Sequence, residues 1–208
     1  MTSGFIVAGT DTGIGKTVFC AALTGMLGCN YWKPIQAGTE GETDTQVVQQ
    51  LSGLPDDHFI ASRYVLRTPC SPHRSAEIDS TEIEPSRLGL PETTRPIIVE
   101  LAGGLLVPLT RGLLQIDIIG DWTLPVILCA RTSLGAINHT LLSVEALKAR
   151  DLNIHGIAFI GEPNLDTERT ICDFSGVRQL CRLPMLSSLD TANLRAAFAA
   201  HCRREDFL

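Results

Sequence analysis

The chain has 208 residues, 44% of them hydrophobic, with a formal net charge of −6. That apolar share excludes a disordered chain and suits one domain of ordinary size spanning residues 1–208. The acidic balance, with no long basic block, excludes a nucleic-acid binder, whose affinity rests on neutralising phosphates.

In chain order, "MTSGFIVAGTD" carries no basic segment and only a short apolar run, so no leader peptide is expected. Residues 5–8, "FIVA", read as a buried strand, followed by a glycine loop and a helix over 16–27 ended near Gly28. "YWKP" is a short strand stopped by Pro34. A helix follows, capped by Thr43 and ended by Gly53. Residues 54–95 are rich in proline and polar groups and give no firm elements. "PIIVEL" (96–101) and "LPVILCA" (124–130) are β-branched or apolar runs that read as inner strands. The second is too short to span a bilayer, so a cytoplasmic protein without a membrane partner is expected. Residues 138–150 read as a helix, 154–161 as a strand, and "DTANLRAAFAAHCRRE" as a C-terminal helix. The seven cysteines include no C-x-x-C pair and read as reduced, packed thiols.

Strand–helix alternation predicts an α/β fold, a mainly parallel sheet covered by helices on both faces. Ligands bind at the carboxyl ends of such strands, so the loops after residues 8, 33, 101 and 130 should converge.

The glycine loop is "GTDTGIGKT", residues 9–17. It sits between a strand and a helix, as a P-loop must. Its first glycine is displaced: five residues separate Gly9 from Gly15, where four is usual. Gly13 and Gly15 permit tight turns, and the amides around Ile14 and Val18 can meet phosphate oxygens. Lys16 adds a charge to the β- and γ-phosphates, and the Thr17 hydroxyl is placed to ligate Mg²⁺. Glu100 ends an apolar strand, where a carboxylate is costly unless paired. Asp44 has a plainer reading too, as an acidic residue favouring a helix N-terminus.

The loop resembles the modified phosphate loop of the dethiobiotin synthetase family, GTDTxxGKT. Four further segments match that family in order, over roughly residues 4–160: "WKPIQAGTEGETDTQVV", "PCSPHRSA", "VELAGGLLVPL" and "LGAINHTLL". The resemblance implies a P-loop NTPase-like single domain, with ATP as co-substrate and Mg²⁺ as cofactor. The reaction it implies is ring closure of 7,8-diaminopelargonate with CO₂ to dethiobiotin, through a carbamate and a carbamic-phosphoric anhydride. Lys16 and Lys33 would be catalytic, and Thr17, Asp44 and Glu100 would hold the metal. Thr12, Gly13, Ile14, Gly15, Lys16, Thr17, Val18, Glu100, Gly103 and Gly104 would bind nucleotide. Thr12, Lys33, Ala37, Ser71, Pro72 and the partner subunit's Asn138 would bind substrate, which implies a homodimer with shared sites.

The match has departures. Ala37 stands where the relatives often carry serine, the relatives tend to place near Ile160 an asparagine that reads the base, and 84–96 is shorter than the family's helix there. A partitioning ATPase of the same fold is the alternative. Those proteins usually carry an early second lysine in the loop, whereas Lys16 is the only lysine here.

Overall fold

The computed structural model describes residues 3–208; Met1 and Thr2, where the reading of the N-terminus begins, lie outside the described residues. The elements run β1 (Gly4–Gly9), α1 (Lys16–Leu27), β2 (Asn30–Trp32), β3 (Ile35–Ala37), α2 (Asp44–Ser52), β4 (Phe59–Ile60), β5 (Tyr64–Leu66) and α3 (Pro72–Ile78). They continue with β6 (Ile97–Gly104), α4 (Gln115–Ile119), β7 (Val126–Arg131), α5 (Ala136–Lys148), β8 (Ile154–Ile160), α6 (Leu165–Ser175), β9 (Gln179–Leu183) and α7 (Thr191–His201).

Seven strands form one sheet in the order β4-β2-β6-β1-β7-β8-β9, every pair parallel. Both faces are buried, and the period of two along each strand divides the core. Phe5, Val7, Ile98 and Ile127 pack with Phe19 and Leu23 of α1, Val48 and Leu51 of α2, and Phe198 of α7. Ile6, Ala8, Val99 and Leu128 face the other way, onto Ile116 of α4, Val144 and Leu147 of α5, and Ile171 of α6. A third cluster joins the small β3–β5 sheet to Ala76 of α3, Ile83, Leu88 and Leu109. No helix among the described residues is long and apolar enough to cross a membrane.

Several expectations need adjustment. β6 runs to Gly104, so Glu100 lies inside the strand rather than ending it, and the loop after it starts at 105 instead of 102. β6 is an inner strand, as expected, beside β1 at the middle of the sheet. α5 begins at Ala136, two residues earlier than 138. Residues 54–95 hold two short strands, α3 and 3-10 turns, one of them Pro85–Leu88 in the proline-rich stretch. α6 and β9 carry no expectation at all. Thr43 does cap α2, through a reciprocal pair with Gln46, and Gly53 closes it. Five of the seven cysteines are buried and the other two half-buried.

Candidate functional site

The carboxyl ends of β1, β2 and β6 are adjacent in the sheet, and they carry the chemistry. β1 leads into the loop, whose last glycine, Gly15, has φ 97° and whose Cβ, if present, would lie 2.9 Å from Ile160 Cγ2. Both facts demand glycine there. The displaced Gly9 now has a physical reason. A Cβ on it would fall 2.7 Å from Lys16 Nζ and 2.8 Å from Ile14 Cδ1. The bare backbone at position 9 is what lets the Lys16 side chain fold back along the loop, where Nζ donates to the Asp11 carbonyl at 2.9 Å. α1 opens on Gly15 with no side-chain cap and no acidic residue in its first turn, so its free amides face the loop's concavity.

Lys33 follows directly on the end of β2 and is buried. Its ammonium lies 2.9 Å from Asp44 Oδ2 and 3.0 Å from Glu100 Oε1, and it also donates to the Leu101 carbonyl at 3.3 Å. Thr17 Oγ1 donates toward the same two carboxylates, at 2.8 Å to Asp44 Oδ1 and 3.0 Å to Glu100 Oε1. Tyr31 donates its hydroxyl to Glu100 Oε2 at 2.9 Å. Gln36 Oε1 accepts from the Asp44 amide at 3.1 Å, fixing the start of α2. Two cations, Lys16 and Lys33, thus stand with two anions, Asp44 and Glu100, in a mostly water-excluded space.

The protonation of these groups follows from that packing. Burial alone would lower the Lys33 ammonium, but Glu100 and Asp44 outweigh it and hold it above the ordinary lysine value. Burial would raise Asp44; Lys33 outweighs that and holds the carboxyl below its usual range. Lys16 goes the other way, pulled down by burial and then by repulsion from Lys33. The Tyr31 phenol is pushed well up by burial and by Glu100, so it stays a donor.

Thr17 Oγ1 thus lies within hydrogen-bonding range of both Asp44 and Glu100, a hydroxyl beside two carboxylates. Among the described residues no three His, Cys, Asp or Glu side chains gather in a metal-binding group. A hard-oxygen set of this kind suits Mg²⁺, which keeps several waters and takes few protein ligands. Gly104 lies opposite Gly9 in the register, and Thr12 Oγ1 would be 3.0 Å from a Cβ on Gly103, so these glycines let the two loops close on each other. Ile14, Gly13, Gly15 and Val18 line a separate cleft beside the loop.

Four of the sequence-derived residues lie apart from this cluster. Ala37 is half-buried in β3. Ser71 and Pro72 open α3, which packs on the small sheet, and no hydrogen bond joins them to Lys33 or Glu100. Asn138 is exposed in the first turn of α5. Tyr31 and Gln36 carry no expectation from sequence. Tyr31 sits between Asn30 and Trp32 in a three-residue strand, and only the fold shows its hydroxyl reaching Glu100 on the neighbouring strand.

A parallel sheet with a strand, a glycine loop closed by Gly-Lys-Thr, and a helix defines a P-loop nucleotide-binding protein. The fold resembles the ParA family ATPase from Chlorobium tepidum TLS, with a TM-score of 0.55 at 12% identity over 96% of this chain and 98% of that one. A family model described as an AAA domain matches residues 3–193. The chain is 56% identical over 208 residues to the ATP-dependent dethiobiotin synthetase BioD of Rhodopseudomonas palustris strain TIE-1, covering 100% of this chain and 98% of that protein. It is 54% identical to the protein of the same name from Bradyrhizobium diazoefficiens, covering 100% and 99%. The chain belongs to the ATP-dependent dethiobiotin synthetase family.

Proposed function

We propose that this chain is a biotin-biosynthetic ligase that closes the cyclic urea of dethiobiotin at the expense of ATP. The observation that carries the reading is the meeting of Lys33, Thr17, Asp44 and Glu100 beside the phosphate loop, in a full-length member of this family. The substrates are 7,8-diaminopelargonate, CO₂ and ATP. One amine adds CO₂ and loses a proton to give a carbamate. A carbamate oxygen attacks the γ-phosphorus, ADP leaves, and a carbamic-phosphoric anhydride results. The second amine attacks the carbonyl carbon and gives up a proton as phosphate leaves, and the ring closes.

The chain's own residues suit the central difficulty, which is that carbamate and triphosphate repel. Phosphoryl transfer is chiefly positioning and charge neutralisation. Lys16 takes the phosphates from the loop side. Lys33 carries a full positive charge beside the carbamate and the transferred group. Near two ammonium groups an alkyl amine, ordinarily protonated with a pKa of about 10, is pushed toward its neutral, nucleophilic form. Thr17, Asp44 and Glu100 would hold Mg²⁺, which would supply charge neutralisation for the phosphates. Thr12, Ser71 and Pro72 would bound the diamine, with Ala37 offering it no hydroxyl.

The reading includes a homodimer in the cytoplasm, each chain acting as one domain and lending Asn138 to its partner's site. Leu106 and Leu142 support it: they are 53% and 57% exposed, and they line a groove with Thr10, Thr12 and His139 at the loop's mouth. Leu134, just before α5, is fully exposed. Light scattering is expected to give twice the chain mass, and Leu142→Asp to shift it toward monomer with loss of turnover. An active wild-type monomer would remove the shared site from the account.

The reaction itself is tested by incubating the protein with diaminopelargonate, bicarbonate, Mg²⁺ and ATP and following phosphate. Release should depend on the diamine. Release indifferent to it would reject the synthetase.

A further inference from the structure

Beside the phosphate loop lies a cleft of about 540 Å³, within the usual size of small-molecule sites. Ile14 and Val18 line it with Ile160 at the end of β8, and Leu183, Met185 and Leu189 line it from the segment at and beyond the end of β9. Met185 and Leu189 are 68% and 49% exposed although they belong to this lining. Large apolar side chains scattered singly on a surface need no explanation, but their gathering in one cleft marks a ligand. The cleft adjoins Gly13 and Gly15, so its occupant is what the phosphates are attached to.

The polar groups on these walls are mostly committed elsewhere. Asn164 is the one side-chain amide among the described residues of the lining. Its Oδ1 accepts from the Thr167 amide at 3.2 Å and its Nδ2 donates to the Thr132 carbonyl at 3.1 Å, which caps α6 and engages both ends of the side-chain amide. The loop 161–164 is held in that arrangement by Glu168, 2% exposed, whose carboxylate accepts from the Asn164 amide and from Gln179 and pairs with Arg182 at 3.2 Å. The Gly161 amide donates to the Leu183 carbonyl. Arg131 donates to the Gly13 carbonyl at 2.8 Å and so braces the phosphate loop. Among side chains this leaves the hydroxyls of Thr132 and Ser133, which donate or accept with equal ease, and the exposed carboxylate of Glu162.

We propose that this cleft grips the nucleobase by its faces and not by its hydrogen-bonding edge, so that the chain uses purine and pyrimidine triphosphates alike. The proposal rests on the nucleotide-dependent reading above. A site built around an edge rejects an analogue lacking it by about 10⁴- to 10⁵-fold. An apolar slot discriminates by about 10- to 200-fold, because it reads area rather than donors and acceptors. Every base has two apolar faces, and stacking is tolerant of its identity.

The test uses the full chain with Mg²⁺. Affinities for ATP, GTP, CTP, UTP and inorganic tripolyphosphate are measured by calorimetry, and diamine-dependent phosphate release is measured with each nucleotide. The four nucleotides are expected to fall within about 200-fold of one another in both measures. Met185→Ala and Leu189→Ala should weaken all four together, by about 3- to 10-fold each, and leave tripolyphosphate unchanged. A preference for ATP above about 10³-fold over the other three would overturn the proposal, as would failure of every nucleotide to bind. So would a Thr132→Ala or Glu162→Gln variant that changes affinity for one base by more than about tenfold relative to the rest. Even-handed binding without diamine-dependent release would instead sink the synthetase reading and leave the base-tolerant cleft standing.

Discussion

Lys33→Ala is expected to cost the fold about 3–5 kcal/mol and to abolish turnover. The cost arises from what remains. Glu100 is 1% exposed, and with Lys33 gone its carboxylate keeps Tyr31 and Thr17 as donors but no adjoining cation within salt-bridge distance. Asp44, which shares the same ammonium, would then face Glu100 as a like charge. Urea unfolding measures this directly as a lower midpoint. Lys33→Met keeps most of the apolar stem, so an equal loss there assigns the effect to charge, and recovery there assigns it to packing. The pH dependence has a definite sign. Asp44 is held below its ordinary 3.8, so its share is present above that value and disappears as acid protonates it. Lys33 is held above its ordinary 10.5, so its share is whole below that value and is lost only as pH rises through the folded value. The gap between wild type and variant should thus be flat from about pH 5 to 9 and shrink in acid. A loss below about 1 kcal/mol at pH 7 would show that the carboxylates do not depend on this lysine.

Lys16→Ala is expected to do the opposite to stability and nearly the same to activity. The Lys16 ammonium is buried, holds one backbone carbonyl, and is repelled by Lys33. Removing it relieves an unfavourably placed charge, so the unfolding midpoint should stay where it is or rise slightly. Turnover should fall by about 10²- to 10³-fold or more, by analogy with losing one oxyanion donor aimed at a developing charge. Steady-state rates of diamine-dependent phosphate release, beside the unfolding curve, separate the two effects. A Lys16→Ala enzyme of near-wild-type rate would end the assignment of this loop to phosphate. The two lysines thus stand close together with contrary thermodynamic roles: Lys33 holds the site together, and Lys16 is tolerated within it.

Why these residues were legible in sequence, and others not, follows from the range of the interactions. The phosphate loop is local: strand, glycines, lysine and helix occupy one continuous stretch, and the whole motif can be read from spacing. Glu100 betrayed itself by lying among β-branched neighbours, where an unpaired carboxylate is costly. Its place within β6 was less visible, because Ala102, Gly103 and Gly104 have little strand propensity and extend the strand only through pairing across to β1. α6 escaped because its inward side consists of Glu168, Ile171 and Ser175, and a single aliphatic residue makes no apolar stripe. Tyr31 and Gln36 acquire their partners across the sheet or through a turn, and nothing local marks them. Between residues 54 and 95 the elements are strands of two or three residues, 3-10 turns and the seven-residue α3, all below the length at which periodicity speaks.

The register of β1 against β6 has a consequence for how this chain can vary. Val7 pairs with Glu100, yet Gly9 pairs with Gly104, so the second strand takes four steps where the first takes two. Because the difference is even, side chains on either side of the irregularity keep the same parity. Loss or gain of a single codon between 97 and 100 would break that parity and turn the carboxylate toward α4 and α5, across the sheet from its lysine. Length polymorphism among natural descendants should therefore gather in the 54–95 stretch, and strand β6 should vary by substitution alone.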